Sequence, residues 1–429
     1  MNALSDLEAL IRIPSVSGDT AAVRRSAELT ARLFRSTGAP EVDLLDEVGA
    51  PAVLARYPAP PGKPTVLLYA HHDVQPAGSG WSSPPFAPVR RGDRLYGRGS
   101  ADDKSAIAAH LAALRAFDGK PPVGVTVLVE GEEEIGSPTL AAFIERYRDR
   151  LAADVIVLAD AENFDVGVPA FTTSLRGLAA CVVEVRTMER GAHSGSYGGA
   201  APDALTALCR LLATLHDDSG DVAVAGLIGG KAPAVDYPED RFRVEAGLLD
   251  GVPLLGTGPL SERIWARPSA SVLAIDAPPV DGASNTLQPV ARAKVSLRLA
   301  PGDNAVRARA ALARHLRTHA PWGVRVHVDE GEVAEPYSGA ACLDAARRAY
   351  AKAYGTEVVE IGGGGSIPFV AAFASAFPDA AILITSAGGD PACHAHGADE
   401  NLHLGDFARA CEAEALLLAE LSGPRARSW

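Results

Sequence analysis

Short apolar runs alternate along the chain with amphipathic segments of helical period. The helical segments cover the N-terminus, residues 21–36 and residues 104–117, where apolar side chains recur on one face. The apolar runs are residues 65–70 (TVLLYA), 123–129 (VGVTVLV), 154–159 (DVIVLA), 358–361 and 380–385 (AAILIT). Such runs are typical of strands buried on both faces of a sheet. The pattern predicts the α/β fold class, with a mostly parallel sheet flanked by helices.

The pattern changes in the middle of the chain. Strand and helix signals there follow the order β, α, β, β, α, β, interrupted by a stretch rich in glycine and proline at residues 226–268. This order is typical of a small α+β unit. We expect residues 1–178 and 333–429 to form the main domain, and residues 179–332 to form an inserted α+β (βαββαβ) domain.

Composition and charge narrow the classes of partner. The chain has 429 residues, with 53 Asp and Glu against 40 Lys and Arg, a formal net charge of −13. Nucleic-acid backbones are bound by basic faces, so no nucleic-acid partner is expected. Five cysteines without a CxxC pair favour a reducing compartment over a disulfide framework. Because the sequence shows no signal-peptide pattern and no long apolar run, we expect a cytoplasmic protein without a membrane partner.

Histidine and carboxylate side chains follow the predicted strands. In chain order they are His71, His72 and Asp73; Glu130, Glu132, Glu133 and Glu134; Asp160 and Glu162; and Asp390, His394, His396, Asp399 and Glu400, while Asp102 and Asp103 precede a helix. In open α/β sheets, ligands bind beyond the carboxyl ends of the strands. Each group alone also fits a structural role, as a polar pair, a helix cap or a solvated charge run. Gathered at one edge, the carboxylates would repel one another unless a cation neutralised them.

The types of side chain restrict the cation and the chemistry. Imidazole and carboxylate without thiolate suit zinc, and also manganese or cobalt. Two metals bridged by one carboxylate would lie ~3.5–4 Å apart and could share a hydroxide. The sequence contains neither the HExxH pattern of single-zinc proteases nor the GxSxG turn of serine hydrolases. Its GGGGS run is not followed by Gly-Lys, so its glycines fit close approach to an anion such as a carboxylate better than a phosphate loop.

Motifs spread over nearly the whole chain carry a family resemblance. They are LIRIPSVSG, YAHHDVQP, WSSPPF, LYGRGSADDK, EGEEEIGS, LAD, LRG, AHSGSYGG, SNTLQP, SLRLAP, GGGGSIP and HAHGADEN. In order and spacing the chain resembles the dinuclear zinc exopeptidases, which include carnosinases and cytosolic nonspecific dipeptidases, aminoacylases, glutamate carboxypeptidases and succinyl-diaminopimelate desuccinylases. The forms DVQP, GRGSADDK and AHSGSYGG are most similar to the dipeptidase branch. His72, Ser105 and His394 depart from that branch's pattern, and the extra histidines make His394 a rival of His396 as a ligand.

The resemblance implies a metal site with two zinc ions per subunit, or manganese or cobalt instead. The implied ligands are His71 and Asp160 for one metal, Glu134 and His396 for the other, and Asp102 for both. It also implies that Asp73 orients His71 and that the peptide bond between Asp102 and Asp103 is cis. Glu133 would be the general base.

The resemblance further implies substrate-binding groups in and after the inserted domain. His193 would reach the partner subunit's site and stabilise the oxyanion. Arg298 would hold the substrate's terminal carboxylate, with Asn285, Ser366 and Gly365 adding hydrogen bonds. A histidine acting in the partner's site requires a homodimer, built through the inserted domain.

We therefore expect a metal-dependent dipeptidase acting on small peptide substrates with a free C-terminal carboxylate. A water activated by the two metals would attack the amide, with Glu133 as base. Within the family the alternative is an N-acyl amino acid deacylase or desuccinylase, because the metal core is common to those branches. Outside it the alternative is a non-catalytic protein that binds metal or peptide.

Overall fold

The structure, a computed structural model, describes residues 2–339, 344–365 and 367–423. These residues form two compact units. Unit 1 is drawn from Met1–Thr173, Gly339–Ile361 and Pro368–Trp429, and unit 2 from Ser174–Ser338 and Gly362–Ile367, each as far as described. Within those bounds, no helix combines the length and the apolar character needed to cross a lipid bilayer.

The helices and strands are numbered along the chain. The helices are α1 Ala3–Ile11, α2 Thr20–Arg35, α3 Lys104–Arg115, α4 Leu140–Arg146, α5 Arg148–Leu151, α6 Ser194–Tyr197, α7 Ala204–Ala213, α8 Glu239–Glu245, α9 Leu260–Trp265, α10 Ala305–Thr318, α11 Asp344–Tyr354, α12 Pro368–Ala376 and α13 Leu404–Leu421, with 3-10 turns at Glu133–Ile135 and Pro321–Gly323. The strands are β1 Glu41–Leu45, β2 Ala52–Tyr57, β3 Thr65–His71, β4 Val89–Arg91, β5 Arg94–Tyr96, β6 Gly124–Glu130, β7 Val155–Leu158, β8 Ala170–Leu175, β9 Gly177–Arg186, β10 Ala192–His193, β11 Ser269–Asp276, β12 Thr286–Leu287, β13 Val290–Leu299, β14 Arg325–Ala334, β15 Tyr337–Ser338, β16 Val359–Gly363, β17 Ala381–Ile384 and β18 Asn401–His403.

Unit 1 is organised around a six-stranded sheet in the order β1-β2-β6-β3-β7-β17. Strands β6, β3, β7 and β17 are parallel, whereas β1 and β2 form an antiparallel edge. All seven residues of β6 are buried, as expected of a strand covered on both faces. The predicted α/β class with a mostly parallel sheet is thus confirmed. The run at residues 358–361 does form a strand, β16, but it joins β8 and β15 in a separate three-stranded sheet.

Helices cover the sheet of unit 1 and place one end of α3 at its edge. α3 packs against α1 and α13, and α13 packs against α11. Leu7, Leu10 and Ile11 of α1 are fully buried in this core, each contributing about 1.5–3 kcal/mol of burial free energy. Because α3 begins at Lys104, directly after Asp103, its packing fixes where the two aspartates lie.

Unit 2 is built on a four-stranded antiparallel sheet in the order β11-β13-β9-β14. Helices α7 and α10 pack on this sheet, and each begins with a side-chain cap, from Asp203 and Asn304. The stretch rich in glycine and proline contains the short helices α8 and α9. β11 lies at an edge of the sheet, and three of its apolar side chains, Val272, Leu273 and Ile275, are about half exposed.

Candidate metal centre

Strand ends bring the candidate ligands of unit 1 together. His71 is the last residue of β3 and lies opposite Glu130, the last residue of the parallel neighbour β6. Asp160 follows β7 and bridges to Ser386, which follows β17. Because these strands run parallel, their carboxyl ends meet at one edge of the sheet. The loop before α3 brings Asp102 and Asp103 to the same edge, and His71 N–H donates to Asp103 Oδ2 at 3.2 Å.

Six side chains form two groups of three. Within each group, the potential donor atoms lie within 4.8 Å of one another. The first group is His71, Asp103 and Asp160, and the second is Asp102, Glu134 and His396. Asp102 faces both groups: its Oδ1 lies 3.0 Å from His71 Nε2, and its Oδ2 lies 3.0 Å from His396 Nε2. This is the arrangement required of a carboxylate that bridges two cations. The peptide bond between Asp102 and Asp103 is cis, as the resemblance implies.

Asp73 holds the first histidine and the glutamate loop at once. His71 Nδ1 donates to the backbone carbonyl of Asp73 at 3.1 Å, which leaves Nε2 facing the cluster. The Asp73 carboxylate accepts the backbone N–H groups of Glu133 at 3.2 Å and Glu134 at 3.1 Å. Ser17 Oγ donates to the same carboxylate at 2.7 Å. A buried carboxylate with these donors is well suited to orient its neighbours.

The glutamates of the EGEEE segment differ in what they contact. Glu134 is clamped by Gln75, whose N–H and Nε2 donate to its two carboxylate oxygens at 3.0 and 2.9 Å. The Glu132 carboxylate accepts hydrogen bonds from the backbone N–H groups of Ala50 at 3.1 Å and Thr139 at 2.8 Å. Glu133 instead places Oε2 4.0 Å from His71 Nε2. Burial raises the pKa of Glu133 to about 9; the charge of His71 opposes this rise, and nearby carboxylates such as Asp160 add to it.

The geometry separates the competing histidines. His72 is buried, and its Nε2 donates to the carbonyl of Pro51 at 2.8 Å, away from the cluster. Burial lowers the pKa of His72 to about 4, so its ring stays neutral. His394 and His396 are both exposed, but His396 Nε2 lies 3.1 Å from Glu134 Oε2. Among the described residues, His396 and not His394 completes a donor group.

The electrostatics of the cluster fit divalent cations. Burial and the charge of Asp102 raise the pKa of Asp160 to about 7, and burial raises that of Asp103 well above its ordinary value. Asp103 Oδ1 is buried and has no hydrogen-bond partner in the described part of the chain. Cations bound at the cluster would favour the ionised forms of these carboxylates. The imidazole and carboxylate donors suit zinc, manganese or cobalt.

The remaining predicted residues belong to unit 2. His193 caps α6, its Nδ1 accepting the N–H of Gly195 at 3.1 Å, and the carbonyl of Asn285 accepts Ser194 N–H at 2.9 Å. Arg298 lies in β13. Gly365 also belongs to unit 2. Ser366 lies outside the described residues.

A second arginine of unit 2 was missed by the sequence reasoning, although its LRG motif was noted. Arg176 donates through Nε to the carbonyl of Gly364 at 3.1 Å and through Nη1 to Ser269 Oγ at 3.2 Å. Ser269 is the cross-strand partner of Arg298. Burial and the charge of Arg298 lower the pKa of Arg176 to about 10. Neither guanidinium has a carboxylate partner within the described ranges, so this part of unit 2 is suited to an anion. Gln75 and Ser17 were missed too, although both lie in noted motifs.

Comparisons with known sequences and structures find related peptidases. Residues 67–420 match the sequence model of the family described as Peptidase family M20/M25/M40. The cysteinylglycine-S-conjugate dipeptidase of Corynebacterium striatum is 36% identical over 367 residues, which are 83% of this chain and 80% of that protein. The crystal structure of human carnosine dipeptidase 1 superposes with a TM-score of 0.79 at 25% identity, covering 98% of this chain and 96% of the other. The dipeptidase Dug1p of Saccharomyces cerevisiae shares the fold, with a TM-score of 0.80 at 22% identity, covering 99% of this chain and 96% of the other.

Proposed function

The chain belongs to peptidase family M20/M25/M40, and we propose that it is a metal-dependent dipeptidase with two zinc ions per subunit. The observation that carries the proposal is the position of Asp102, with one carboxylate oxygen 3.0 Å from each of the two histidines His71 and His396. The relatives named as dipeptidases support the choice of reaction.

His71 and Asp160 would hold one cation, Glu134 and His396 the other, and Asp102 both. Cations bound there supply positive charge that lowers the pKa of water and polarises the amide carbonyl. The protein's own contribution is to keep the ligands in place. Asp73 fixes the ring of His71, and Gln75 fixes both carboxylate oxygens of Glu134.

Glu133 is the proposed general base. Its backbone N–H is held by Asp73 at 3.2 Å, while its carboxylate reaches toward His71 without the clamps that fix Glu132 and Glu134. A carboxylate free to move can take a proton from the attacking water and then donate it to the leaving amine nitrogen. One proton is thus passed on for each amide bond cleaved.

Unit 2 supplies the groups proposed to hold the substrate. Because Nδ1 of His193 accepts a backbone N–H, the ring proton lies on Nε2, where it can be donated to an oxyanion. Arg298, which has no carboxylate partner among the residues that the structure describes, would hold the substrate's C-terminal carboxylate, and Asn285, Gly365 and Ser366 would add hydrogen bonds. We propose that His193 acts in the partner's site, so that the working protein is a homodimer.

Two further observations support the proposed homodimer and the proposed cytoplasmic location. The half-exposed apolar side chains on edge strand β11 offer a surface for pairing with a second copy through unit 2. The described cysteines, Cys181, Cys209, Cys393 and Cys411, are all free thiols. Free thiols fit the reducing conditions of the cytoplasm.

A panel of substrates tests the reaction. Metal-free protein would be reloaded with zinc, manganese or cobalt and offered dipeptides, N-acetyl amino acids and N-succinyl amines under the same conditions. We expect dipeptides to be hydrolysed with the highest kcat/KM and zinc to support turnover. Preference for an N-acyl substrate would replace the dipeptidase assignment with a deacylase. Cation binding without any turnover would indicate a non-catalytic binding protein.

Subunit complementation tests the shared site. His193→Ala and Glu133→Ala variants are each expected to be inactive. When the two are mixed and subunits exchange, a hybrid dimer contains one site with both Glu133 and the partner's intact histidine. Part of the activity should therefore return. No recovery after confirmed exchange would contradict a role for His193 across the dimer.

A further inference from the structure

We propose that the buried ion pair between Arg98 and Glu400 positions the second donor group, Asp102, Glu134 and His396, and thereby sets its affinity for a cation. Both contact the donor residues only through backbone groups and not through the donor side chains, so both are positioning residues. The inference rests on the two-cation centre of the proposed function. It adds a division of labour: the pair supports all three members of the second group, but of the other cation's proposed ligands only the shared Asp102.

Glu400 shapes the loop that carries Asp102. Its side chain is fully buried, and Oε1 accepts the backbone N–H groups of Ala101 at 3.0 Å and Asp102 at 3.2 Å. Oε2 accepts Gly99 N–H at 3.1 Å and Arg98 Nη1 at 2.6 Å. Four donors use the full acceptor capacity of one carboxylate. The backbone of the bridging aspartate is thus tied directly to this group.

Arg98 shapes the loop that carries His396. Its side chain is 1% exposed, and Nη2 donates to the carbonyls of His396 at 3.0 Å and Gly397 at 3.1 Å. The same Nη2 approaches the carbonyl of Pro76 at 3.3 Å. A planar guanidinium can serve the carboxylate and these carbonyls at once, which an ammonium group cannot do.

The contact with Pro76 extends the network to the third donor of the group. The preceding residue, Gln75, is the one that clamps both carboxylate oxygens of Glu134. Each member of the second group is therefore held through a segment that Arg98 or Glu400 contacts. In the first group, His71 is held by Asp73, and Asp160 through its bridge to Ser386. Only Asp103, which follows Asp102, lies beside the loop that Glu400 holds.

Breaking the pair should act on the second group in two ways. With Glu400→Gln, the guanidinium of Arg98 stays buried without a counter-charge, a strongly unfavourable state. The loops of Asp102 and His396 then relax, and the unpaired positive charge opposes a nearby cation. With Arg98→Lys the charge balance is kept, but the fork that reaches the carbonyl groups is lost.

The test compares E400Q and R98K with a matched control, E414Q. Glu414 is also a buried glutamate in an ion pair, with His110 Nδ1 at 2.8 Å, but that pair lies between α3 and α13. His110 also contacts the carbonyl of Tyr69 in β3, and among the described residues the pair has no hydrogen bond to the loops of Asp102, Glu134 or His396. Zinc binding to metal-free, full-length protein would be measured by competition with a chromophoric chelator, which gives the number of sites and both dissociation constants. We expect E400Q and R98K to weaken one zinc site by about 10–100-fold and the other site less, because only its shared ligand Asp102 is affected. Both sites of E414Q should stay as in the wild type.

A second measurement identifies the weakened site. In a His396→Ala background the second site is already damaged, so adding E400Q should lower the remaining zinc affinity by less than about 10-fold. Equal weakening of both sites, no weakening, or the same selective loss in E414Q would overturn the inference. If E400Q does not fold, R98K decides by the same criteria. These outcomes differ from failure of the proposed function, which would appear as a wild-type protein that binds fewer than two cations or hydrolyses no peptide.

Discussion

Replacing Glu133 by glutamine tests the chemistry of the centre with little disturbance of its shape. Glutamine keeps the length of the side chain and the backbone N–H that donates to Asp73 at 3.2 Å. It removes the ability to take a proton from water. The neighbouring ligand Glu134 keeps both hydrogen bonds from Gln75, at 3.0 and 2.9 Å, so the donors of the second group should not move.

The size of the effect follows from the role. General acid–base catalysis by one positioned group contributes about 10²–10⁴-fold, which corresponds to ~2.7–5.4 kcal/mol in the activation barrier. We therefore expect kcat of E133Q to fall by at least ~100-fold. Because no ligand is removed, the chain should still bind two zinc ions.

The assay pairs dipeptide hydrolysis under saturating substrate with the zinc content of the dialysed protein. E132Q is the matched control, since it makes the same chemical change one residue earlier. Glu132 faces the backbone of Ala50 and Thr139 rather than the cluster, so its amide should cost far less activity. A nearly fully active E133Q would refute the assignment of the base, and an inactive E133Q that has lost zinc would show a ligand instead.

Three further outcomes are expected. His396→Ala should bind one zinc ion fewer than the wild type and His394→Ala the full number, because only His396 lies beside Glu134; equal losses in both would contradict this assignment. The pKa of His72 is about 4 in the folded chain against 6.5 for an ordinary histidine, so its contribution to stability is full above pH 6.5 and falls by about 3 kcal/mol as the pH drops to 4. Urea unfolding of His72→Gln should show a flatter dependence over that range, and an unchanged slope would argue against a neutral buried ring. Arg298→Lys should raise KM for dipeptides by about tenfold or more with a smaller change in kcat, since hydrogen bonds to charged groups contribute about 1.5–3 kcal/mol, and a change in kcat alone would contradict a role in holding the carboxylate.

Much of the site could be predicted because it follows from simple rules about strands. The apolar runs at residues 65–70 and 154–159 became β3 and β7, and His71 and Asp160 lie at their ends. Parallel neighbours bring such ends together whatever the details of packing. The alternation of side chains along a strand would also have separated the adjacent histidines: His71 and Asp73 share one face, and His72 points to the other, toward Pro51.

Other features depended on contacts between distant segments. β16 is only five residues long, and nothing in such a short run specifies which sheet it joins. The edge strand β1 is half buried throughout, and its alternation of charged and apolar side chains spans only Glu41 to Leu44, the lower limit of a recognisable strand pattern. The roles of Arg98 and Gln75 were equally hidden, because their partners Glu400 and Glu134 lie far along the chain.

The same long separations have a consequence for how the protein is made. Arg98 and Glu400 are 302 positions apart. Helix α3 also packs against α13, which is the last helix of the described chain. Contacts of such separation form late, because the intervening chain must first be ordered. A nascent chain that ends at β17 carries Asp102 and Glu134 but lacks the imidazole of His396. Full occupancy by cations therefore reports that synthesis has passed His396 and that the distant segments carrying Asp102, Glu134 and His396 have met.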